Sequence, residues 1–449
     1  MAASSLHFDV IILGGGPAGC ATALSIARHD TSNQLRVLVI DDADPDAFKV
    51  GESLPAAAKR TLSLLDPSLL SRITEDTKLG LHLPCTGNAS AWASERLHET
   101  YSLMNPYGEG WHLDRARFDE TLREACQDGV RKGKFVAIRR VDGPEASYGW
   151  EVDVEMRESG ELDAFCTGWV VDATGRRASV ARKLGATQRK THDLLAFYIV
   201  FSTPDSDASQ PDRDDRTLIE AAPSGWWYTA RLPHNKRLVT YTTTPSDPTA
   251  RVARTASGFT DMLASQTQHI ARALGLGPDP DTDTADLERC AAAPVYEACG
   301  AETRFTRCTA AGSSVLEPYA VWEPPTHPLN PSARGRGWCA VGDAALAFDP
   351  LSSQGIITSL NSGLSLGALL ARHLCPLPLP PSENADTASG EAVVEGITAA
   401  YESVRKKYEE GRAYYYGIVR RFDAGDASES ESAEGADAEA GFWRAQRGG

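Results

Sequence analysis

The chain of 449 residues lacks the marks of several large protein classes. No stretch approaches the run of about 20 apolar residues that a membrane span needs. Lys and Arg number 45 against 61 Asp and Glu, so the net charge is −16 and no basic excess is available to track nucleic-acid phosphates. We therefore expect neither a membrane span nor a nucleic-acid partner.

Disulfide, metal and export motifs are missing as well. The nine cysteines are an odd number, none stands in a C-x-x-C pair, and no Cys/His cluster has zinc spacing. We expect reduced, mostly buried thiols and no bound metal. The polar residues 1–7 run directly into an apolar strand and leave no room for a signal peptide, which predicts a cytoplasmic protein.

A glycine-rich turn lies between a predicted strand, residues 8–13, and a predicted helix, residues 20–28. The first glycine of G-x-G-x-x-G permits a tight turn, the second lets a pyrophosphate approach the backbone, and the third lets the helix pack on the strand. The pattern predicts a dinucleotide site with its phosphates at the helix N-terminus. The residues concerned are Gly14, Gly16, Pro17, Ala18 and Gly19.

A second predicted strand ends at Asp41, whose carboxylate suits ribose hydroxyls. Three later segments favour FAD over NAD. Further strands end in Asp172-Ala-Thr-Gly175 and in Gly342-Asp343, where the second carboxylate can accept hydrogen bonds from a ribityl chain. Segment 348–356 then leads into a predicted helix, whose N-terminus can stabilise negative charge on a reduced flavin.

Taken in order, these motifs resemble the FAD-dependent monooxygenases of the aromatic-hydroxylase superfamily, and more closely their tryptophan-halogenase-like branch. Within that branch, the sequence most resembles the flavoproteins that hydroxylate a protein tryptophan during tryptophylquinone cofactor maturation. The matching segments are G-G-G-P-A-G (14–19), K-V-G-E-S-L-P (49–55), H-L-D-R-A-R-F-D-E-T-L (112–122), D-A-T-G (172–175), G-W-W-Y (225–228), V-G-D-A (341–344) and D-P-L-S-S-Q-G-I (349–356).

The resemblance implies a cofactor and its contacts. FAD is expected, reduced by NAD(P)H or by a separate flavin reductase, with O2 as oxidant. Arg115 would approach the FAD, Asp343 would hold its ribityl chain, and segment 349–356 would lie along the flavin ring. The expected cofactor contacts are Gly14, Gly16, Pro17, Ala18, Gly19, Asp41, Lys49, Glu52, Ser53, Arg115, Asp172, Gly175, Gly342, Asp343, Pro350, Ser353, Gln354, Gly355 and Ile356.

The implied fold is α/β: a Rossmann-like FAD-binding domain of the glutathione-reductase type, an inserted β-rich substrate domain and C-terminal helices. We expect a discontinuous FAD-binding domain over residues 1–185 and 300–375. Residues 186–299 carry strand-like runs that predict a sheet roofing the flavin, with a substrate pocket between the layers.

The C-terminal part divides into a helical region, residues 390–422, and an acidic low-complexity tail, residues 423–441. Tyr401, Tyr408 and Tyr415 recur every seven residues in the helical region. A stripe facing the core is the favoured interpretation, with cofactor stacking as the alternative.

The expected reaction is hydroxylation of an aromatic, indole-like acceptor, free or in a partner protein, through a flavin C4a-hydroperoxide. That chemistry belongs to the cofactor, so the protein must exclude water and place the acceptor. Candidates near the reacting atoms are Lys78, His82, Asp349, Pro350 and Ser352, and candidate substrate contacts are Trp92, Trp227 and Tyr228.

Several of these candidates have two interpretations. His82 is either a general base or a hydrogen-bonded core histidine, and His112 is a further polar candidate. Trp92 and Trp227 are either pocket walls or core side chains. Arg231 would either grip a carboxylate or lie at an exposed sheet edge.

Halogenation needs more than hydroxylation: a lysine to orient hypohalous acid and, in tryptophan halogenases, a nearby glutamate. Lys78 falls near the family lysine, but at a shorter spacing from Glu52, and a solvated helix-end lysine is the interpretation that we favour. Ser352 stands where the glutamate is expected, and W-x-W-x-I-P is broken at Tyr228, Ala230 and Arg231. The sequence therefore favours a hydroxylase. A halogenase with a diverged site, a flavin-binding accessory or maturation protein, and a flavin-linked double-bond reductase are the alternatives.

Overall fold

The computed structural model describes residues 6–44, 47–126, 129–142, 148–203, 212–276, 296–298, 304–325, 335–375, 389–423, 442–443 and 446–447. Its strands are β1 (Leu6–Leu13), β2 (Val37–Asp41), β3 (Ser53–Leu54), β4 (His82–Cys85), β5 (Gly87–Ala91), β6 (His98–Tyr101), β7 (Gly110–Leu113), β8 (Val130–Arg140), β9 (Trp150–Met156), β10 (Leu162–Asp172), β11 (Thr187–Lys190), β12 (Leu195–Ser202), β13 (Arg216–Ala222), β14 (Gly225–Leu232), β15 (Lys236–Thr243), β16 (Glu297–Ala298), β17 (Arg307–Ala310), β18 (Ser314–Glu317), β19 (Ala320–Glu323), β20 (Arg336–Ala340) and β21 (Leu346–Ala347).

Its helices are α1 (Pro17–His29), α2 (Ala58–Leu65), α3 (Pro67–Lys78), α4 (Arg115–Ala125), α5 (Ser179–Lys183), α6 (Thr249–Val252), α7 (Ala256–Gln266), α8 (His269–Ala273), α9 (Gly355–Leu374) and α10 (Gly390–Ile418). In the ranges described, no helix is long and apolar enough to cross a membrane. Those ranges also hold no cluster of side chains suited to a metal ion and no disulfide. Cys290, Cys299, the acidic tail beyond Asp423 and residues 376–388 lie outside them.

The first sheet has a parallel centre in the order β8-β2-β1-β10-β20. Strand β9 joins β8 to β10 antiparallel, and β19 adds an antiparallel edge beside β20. Because β1 is buried by layers on both of its faces, its sequence is a continuous apolar run. The helices that pack on this sheet include α1 and α9, and the carboxyl ends of β1, β2, β10 and β20 meet at one edge.

The second sheet is largely antiparallel, in the order β16-β12-β15-β14-β13-β5-β6, with β17 also beside β12. Its outer face is covered by α6, α7 and α8, and a separate apolar core lies between them. Its inner face looks toward the first sheet, across the small sheet β3-β7-β4 and the end of α10. Alternate residues of each strand therefore belong to two different environments.

The α/β fold agrees with the prediction, but the second sheet recruits strands from outside residues 186–299. Strand β5 pairs in parallel with β13, from Arg216 opposite Gly87 to Glu220 opposite Ala91, and β6 pairs with β5. Strand β17 pairs with β12. The periodicity of a short strand does not reveal which sheet it joins, because pairing is decided by neighbours distant in sequence.

The tyrosine stripe of α10 is confirmed in part. Tyr401 is buried and Tyr408 packs against the core, but Tyr415 is 54% exposed. Seven residues fall about 20° short of two helical turns, so a heptad stripe drifts around the helix. Tyr416 takes the inward position and is fully buried.

Candidate functional site

The glycine turn after β1 combines two crowded positions with one open position. A Cβ on Gly14 would lie 2.1 Å from the Ala173 carbonyl oxygen, and a Cβ on Gly19 would lie 1.9 Å from that of Gly14. A Cβ on Gly16 would meet no atom within 4 Å. The protein itself therefore requires glycine at 14 and 19. At 16 it leaves open backbone at the start of α1, where Pro17 is the first helical residue.

Asp41 ends β2 beside this turn, and its carboxylate is buried. Arg123 Nε lies 3.3 Å from Asp41 Oδ2, yet that oxygen accepts no hydrogen bond from the described residues. A buried acceptor without a donor indicates an outside partner. The Asp41 carboxylate thus fits a ribose hydroxyl.

Gly342 and Asp343 follow β20 and lie against the same turn. Gly342 has a φ of +62°, and a Cβ there would lie 2.7 Å from Ala18 Cβ. The side chain of Asp343 is 33% exposed, and Arg176 Nε lies 3.4 Å from its carboxylate. Burial raises the pKa of Asp343, although the nearby arginines act to lower it. A partly open carboxylate at this point fits the ribityl hydroxyls.

Helix α9 runs alongside α1 and extends past its start. A Cβ on Gly363 would lie 2.6 Å from the Ala18 carbonyl oxygen, and one on Gly367 the same distance from that of Thr22. Gly355 begins α9 eight residues before Gly363, which at 1.5 Å per residue is about 12 Å. The two helix N-termini are thus offset along one direction, as an elongated dinucleotide requires.

The turn before α9 carries the remaining residues predicted along the flavin ring. Pro350 and Ser352 bound a short 3-10 turn, Ser353 is left-handed with a φ of +48°, and Gln354 precedes Gly355 and Ile356. The Asp349 carboxylate accepts from Leu351 N at 2.8 Å and so shapes this turn. Together with the glycine turn, Asp41 and Asp343, these residues fit FAD.

The loop at residues 49–53 is held by charged contacts. Lys49 Nζ donates to Asp119 at 2.8 Å, and Arg115 also binds Asp119. Arg115 Nη1 donates to the Gly51 carbonyl oxygen at 2.8 Å. The two predicted cationic contacts thus share one buried carboxylate and fix the loop that carries Glu52.

Asp172 has partners within the chain. Its carboxylate accepts from the backbone and hydroxyl of Thr174 and from the backbone of Val180 and Ala181. These bonds fix the turn through Gly175 and the start of α5. The structure thus shows Asp172 shaping the turn after β10.

Two tyrosine–carboxylate pairs connect the inner face of the second sheet to the FAD side. Tyr228 hydroxyl donates to Glu52 and contacts Ser53 Oγ at 2.8 Å. Tyr416 hydroxyl donates to Asp349 at 2.6 Å and accepts from Trp226 Nε1 at 3.1 Å. Since Trp226 and Tyr228 are two residues apart on β14, the two pairs are about 7 Å apart along the strand.

Burial governs the protonation of both pairs. It raises the pKa of Tyr228 well above its ordinary value, and Glu52 adds to the rise. It likewise raises the pKa of Tyr416, with Asp349 adding to it, and that of Asp349 itself. Both phenols are therefore protonated donors near neutral pH. Each carboxylate is already satisfied by a hydroxyl.

Trp92 and Trp227 lie in different environments. Trp227 is buried on the outer face, where its ring contacts Tyr241 and Phe259 and its Nε1 donates to Gln266. Trp92 joins the aromatic cluster on the inner side, beside Trp226, Tyr416 and Trp443. Trp227 is thus a core side chain, whereas Trp92 packs in the aromatic cluster on the inner side of the sheet.

The two candidate histidines lie on opposite faces of the small sheet. His112 is directly opposite Ser53 and Leu83, and its Nε2 is 3.0 Å from Thr217 Oγ1 on the inner face of the second sheet. His82, one residue before Leu83, points the other way and accepts from Asp114 N. Of the two, His112 is the one near Tyr228.

Lys78 and Arg231 have partners away from the tyrosine pairs. Lys78 is the last residue of α3, with 68% of its side chain exposed and Glu75 at 3.2 Å. Arg231 binds Asp215 at 2.7 Å, so the carboxylate that it grips belongs to this chain. Neither cation joins the inner face.

Residues missed by the sequence analysis complete this region. Arg412 lies over the Tyr416 ring at 4.4 Å, approaches Asp349 at 3.7 Å and donates to Gln446. Thr240 and Thr242 stand beside Tyr228 and Trp226 on the inner face. The pattern of one tyrosine every seven residues selected Tyr415 and passed over Tyr416. Tyr416 is identified only by the structure, in which Tyr415 points outward and Tyr416 inward.

Comparisons with known proteins agree with this architecture. The family model for tryptophan halogenase matches residues 9–84. The FAD-dependent oxidoreductase LodB of Marinomonas mediterranea is 30% identical over 358 residues, covering 79% of this chain and 82% of LodB.

Two solved structures share the fold. The flavin-dependent brominase Bmp2 matches with a TM-score of 0.66 and 17% identity, over 92% of this chain and 88% of Bmp2. The peptidyl tryptophan dihydroxylase QhpG, essential for tryptophylquinone cofactor biogenesis, matches with a TM-score of 0.56 and 18% identity, over 92% of this chain and 76% of QhpG.

Proposed function

The chain belongs to the family of FAD-dependent oxidoreductases and flavin-dependent halogenases, and from that premise we propose that it is a monooxygenase. Its acceptor is an aromatic, indole-like ring, either free or in a partner protein. Reduced flavin comes from NAD(P)H or from a separate flavin reductase. QhpG, a structural neighbour that acts on peptidyl tryptophan, supports the protein-bound acceptor through its fold.

One observation carries hydroxylation over halogenation. The inner-face site, defined by Glu52, Tyr228, Trp226, Tyr416 and Asp349, contains carboxylates, phenols and an indole, and no lysine in the described ranges bonds to any of these five side chains. The lysine offered by the sequence, Lys78, is exposed at the end of α3. Ser352, at the position of the halogenase glutamate, donates to the Asp349 carbonyl oxygen.

The residues of this chain have distinct tasks in the proposed reaction. Bound reduced FAD supplies activation of O2 and oxygen transfer. Asp41 and Asp343 hold its hydroxyls, and the open backbone at Gly16 receives its phosphates. The aromatic cluster behind Trp226 excludes water from the acceptor side. Burial, with the hydrogen bond to Glu52 adding to it, raises the pKa of Tyr228, so the phenol keeps its proton beside the acceptor.

The test uses FAD-loaded protein with NAD(P)H, a flavin reductase, isotope-labelled O2 and either N-acetyl-tryptophanamide or a tryptophan-containing peptide. We expect one labelled oxygen atom in the indole product, and unchanged products when chloride or bromide is added. A chlorine or bromine isotope pattern would contradict the proposal. Acceptor-independent flavin oxidation alone would also contradict it.

A matched glycine pair separates cofactor binding from folding. Gly16→Ala meets no protein atom, so it should leave the unfolding midpoint unchanged and weaken FAD binding. Gly19→Ala forces a Cβ against the Gly14 carbonyl oxygen, so it should destabilise the apoprotein itself. Equal FAD affinity in wild type and Gly16→Ala would place the phosphates elsewhere.

Halogenation is the second candidate, and the match of the tryptophan halogenase model to residues 9–84 favours it. It would require a lysine other than Lys78 to reach the acceptor. Lys49, which binds Asp119 and is 27% exposed, is nearest in sequence to Glu52. A halogenated product that disappears in Lys49→Gln, with FAD still bound, would establish this alternative.

A further inference from the structure

Two buried hydroxyls on the inner face have no hydrogen-bond partner among the described residues. Thr240 and Thr242 are 5% and 0% exposed, and neither Oγ1 finds a donor or an acceptor. A buried threonine ordinarily bonds a nearby carbonyl oxygen, so each orphaned hydroxyl is unusual. Two of them, two residues apart on one face of β15, indicate an outside partner on this face.

Their neighbours form two rows across the sheet. Thr242 stands between Ala196 and Trp226, and Thr240 stands between Tyr198 and Tyr228. The central side chains are small and the flanking ones are mostly aromatic. We call this row of small side chains between mostly aromatic ones the trough, and its polar centre suits a planar ring with one polar edge atom.

The charged side chains described around the trough already have partners. The Glu52 carboxylate accepts from Tyr228 and the Asp349 carboxylate accepts from Tyr416. Arg412 is occupied by Gln446 and by the Tyr416 ring. Because Arg412 is already engaged, an anionic ligand edge would find no free cation among these described side chains, which favours a neutral donor such as a ring N–H.

The same strands supply an internal comparison. Thr243 and Thr229 point to the outer face, where Thr243 Oγ1 donates to the Ser224 carbonyl oxygen at 2.6 Å and Thr229 Oγ1 donates to that of Leu238 at 2.7 Å. Threonine hydroxyls in this sheet therefore find partners where their role is structural. Among the buried threonines described on these strands, the pair Thr240 and Thr242 lacks such partners.

We propose that Thr240 and Thr242 are the specificity-determining contacts for the acceptor, and that the ring N–H of an indole lying across the trough donates to one of their two hydroxyls. This inference rests on the proposed function and deepens it by naming the edge of the acceptor that the protein recognises. One hydroxyl oxygen accepts, the indole nitrogen donates, and Trp226 and Tyr228 flank the ring. No covalent step is involved.

The test compares N-acetyl-tryptophanamide with its 1-methyl analogue, which lacks the N–H. Binding to FAD-loaded, oxidised protein is measured by calorimetry. One neutral hydrogen bond corresponds to about a three- to tenfold difference in affinity. We expect wild type to prefer the N–H probe by that factor. Thr240→Val with Thr242→Val should bind both probes equally, and the two serine variants should restore the preference.

The unfolding midpoint distinguishes a ligand-binding role of Thr240 and Thr242 from a structural role. Removing an unpartnered buried hydroxyl should leave the unfolding midpoint unchanged or raise it, whereas the matched control Thr243→Val should lower it and keep the preference for the N–H probe.

The contrary outcomes separate the two proposals. Equal affinity of wild type for the two probes, or an undiminished preference in the double valine variant, overturns the threonine assignment. Labelled oxygen in the indole product would still uphold the monooxygenase in that case. A wild type that binds neither probe overturns the assignment together with the indole-like acceptor.

Discussion

The two faces of the second sheet use the same residue types for different purposes. On the outer face, Trp227 packs in a ring cluster and Thr243 bonds a carbonyl oxygen. On the inner face, Trp226 bonds a tyrosine that holds a carboxylate, and Thr242 bonds nothing in the described chain. Alternation along one strand thus separates a face that stabilises the fold from a face that leaves polar groups free for a ligand.

Breaking the outer face should have the largest effect. Trp227→Ala removes a fully buried ring beside Tyr241 and Phe259 and should lower the free energy of unfolding by about 3–5 kcal/mol. Urea unfolding measures the change, and Trp227→Phe should recover most of it. Loss of probe binding in folded Trp227→Phe would contradict the separation of the faces.

The buried carboxylate of the outer face comes next. Glu220 accepts from the backbone of Gln268, His269 and Ile270 and so caps the start of α8. Glu220→Ala leaves those donors unpaired and should cost about 2 kcal/mol of stability. Denaturant unfolding together with probe calorimetry checks this prediction. Glu220→Gln, which keeps one acceptor oxygen, should lose less, and neither variant should change probe affinity.

His112, beneath the inner face, should make stability depend on pH. Burial, with Arg237 and Arg231 adding to it, lowers the pKa of His112 from 6.5 to about 3. Below pH 6.5 the unfolded chain takes up a proton that the folded chain does not, so stability falls as the pH drops toward 3. At about pH 5 the loss relative to neutral pH is about 2 kcal/mol.

His112→Gln should remove that part of the acid sensitivity. Urea unfolding at neutral pH and at about pH 5 compares it with wild type and with His234→Gln at an exposed position. The same acid-induced loss in His112→Gln and wild type would count against the buried neutral imidazole.

The smallest effect on stability, and the sharpest on function, should come from Tyr228→Phe. It removes the donor to Glu52 but leaves the ring in place, so unfolding should change by about 1 kcal/mol. Indole hydroxylation should fall about tenfold, because the Glu52 oxygen that accepted from Tyr228 then faces the acceptor without its donor. Single-turnover product analysis measures it, and Tyr241→Phe on the outer face is the control.

Local pattern predicted the elements around the glycine turn well and the inner face of the second sheet poorly. The strand–turn–helix at Gly14–Gly19 needs only neighbouring residues, and the structure has β1, α1 and β2 where the apolar periodicity indicated. The inner face depends on pairing between β14, β15 and β12 and on α10, which local sequence does not encode. Thr240 and Thr242 became candidates only when their hydroxyls were seen to lack partners.

The aromatic wall behind Trp226 has a consequence for the order of folding. Trp92 Nε1 bonds the Tyr415 carbonyl oxygen across 323 residues, and Trp443 Nε1 bonds that of Ala222 across 221. Contacts between such distant segments form late, after local structure is in place. During synthesis on a ribosome, the rings of Trp92 and Trp226 would stay uncovered until α10 and residues 442–443 had emerged. A nascent or clipped chain would then offer chaperones and proteases an apolar surface that the finished protein conceals.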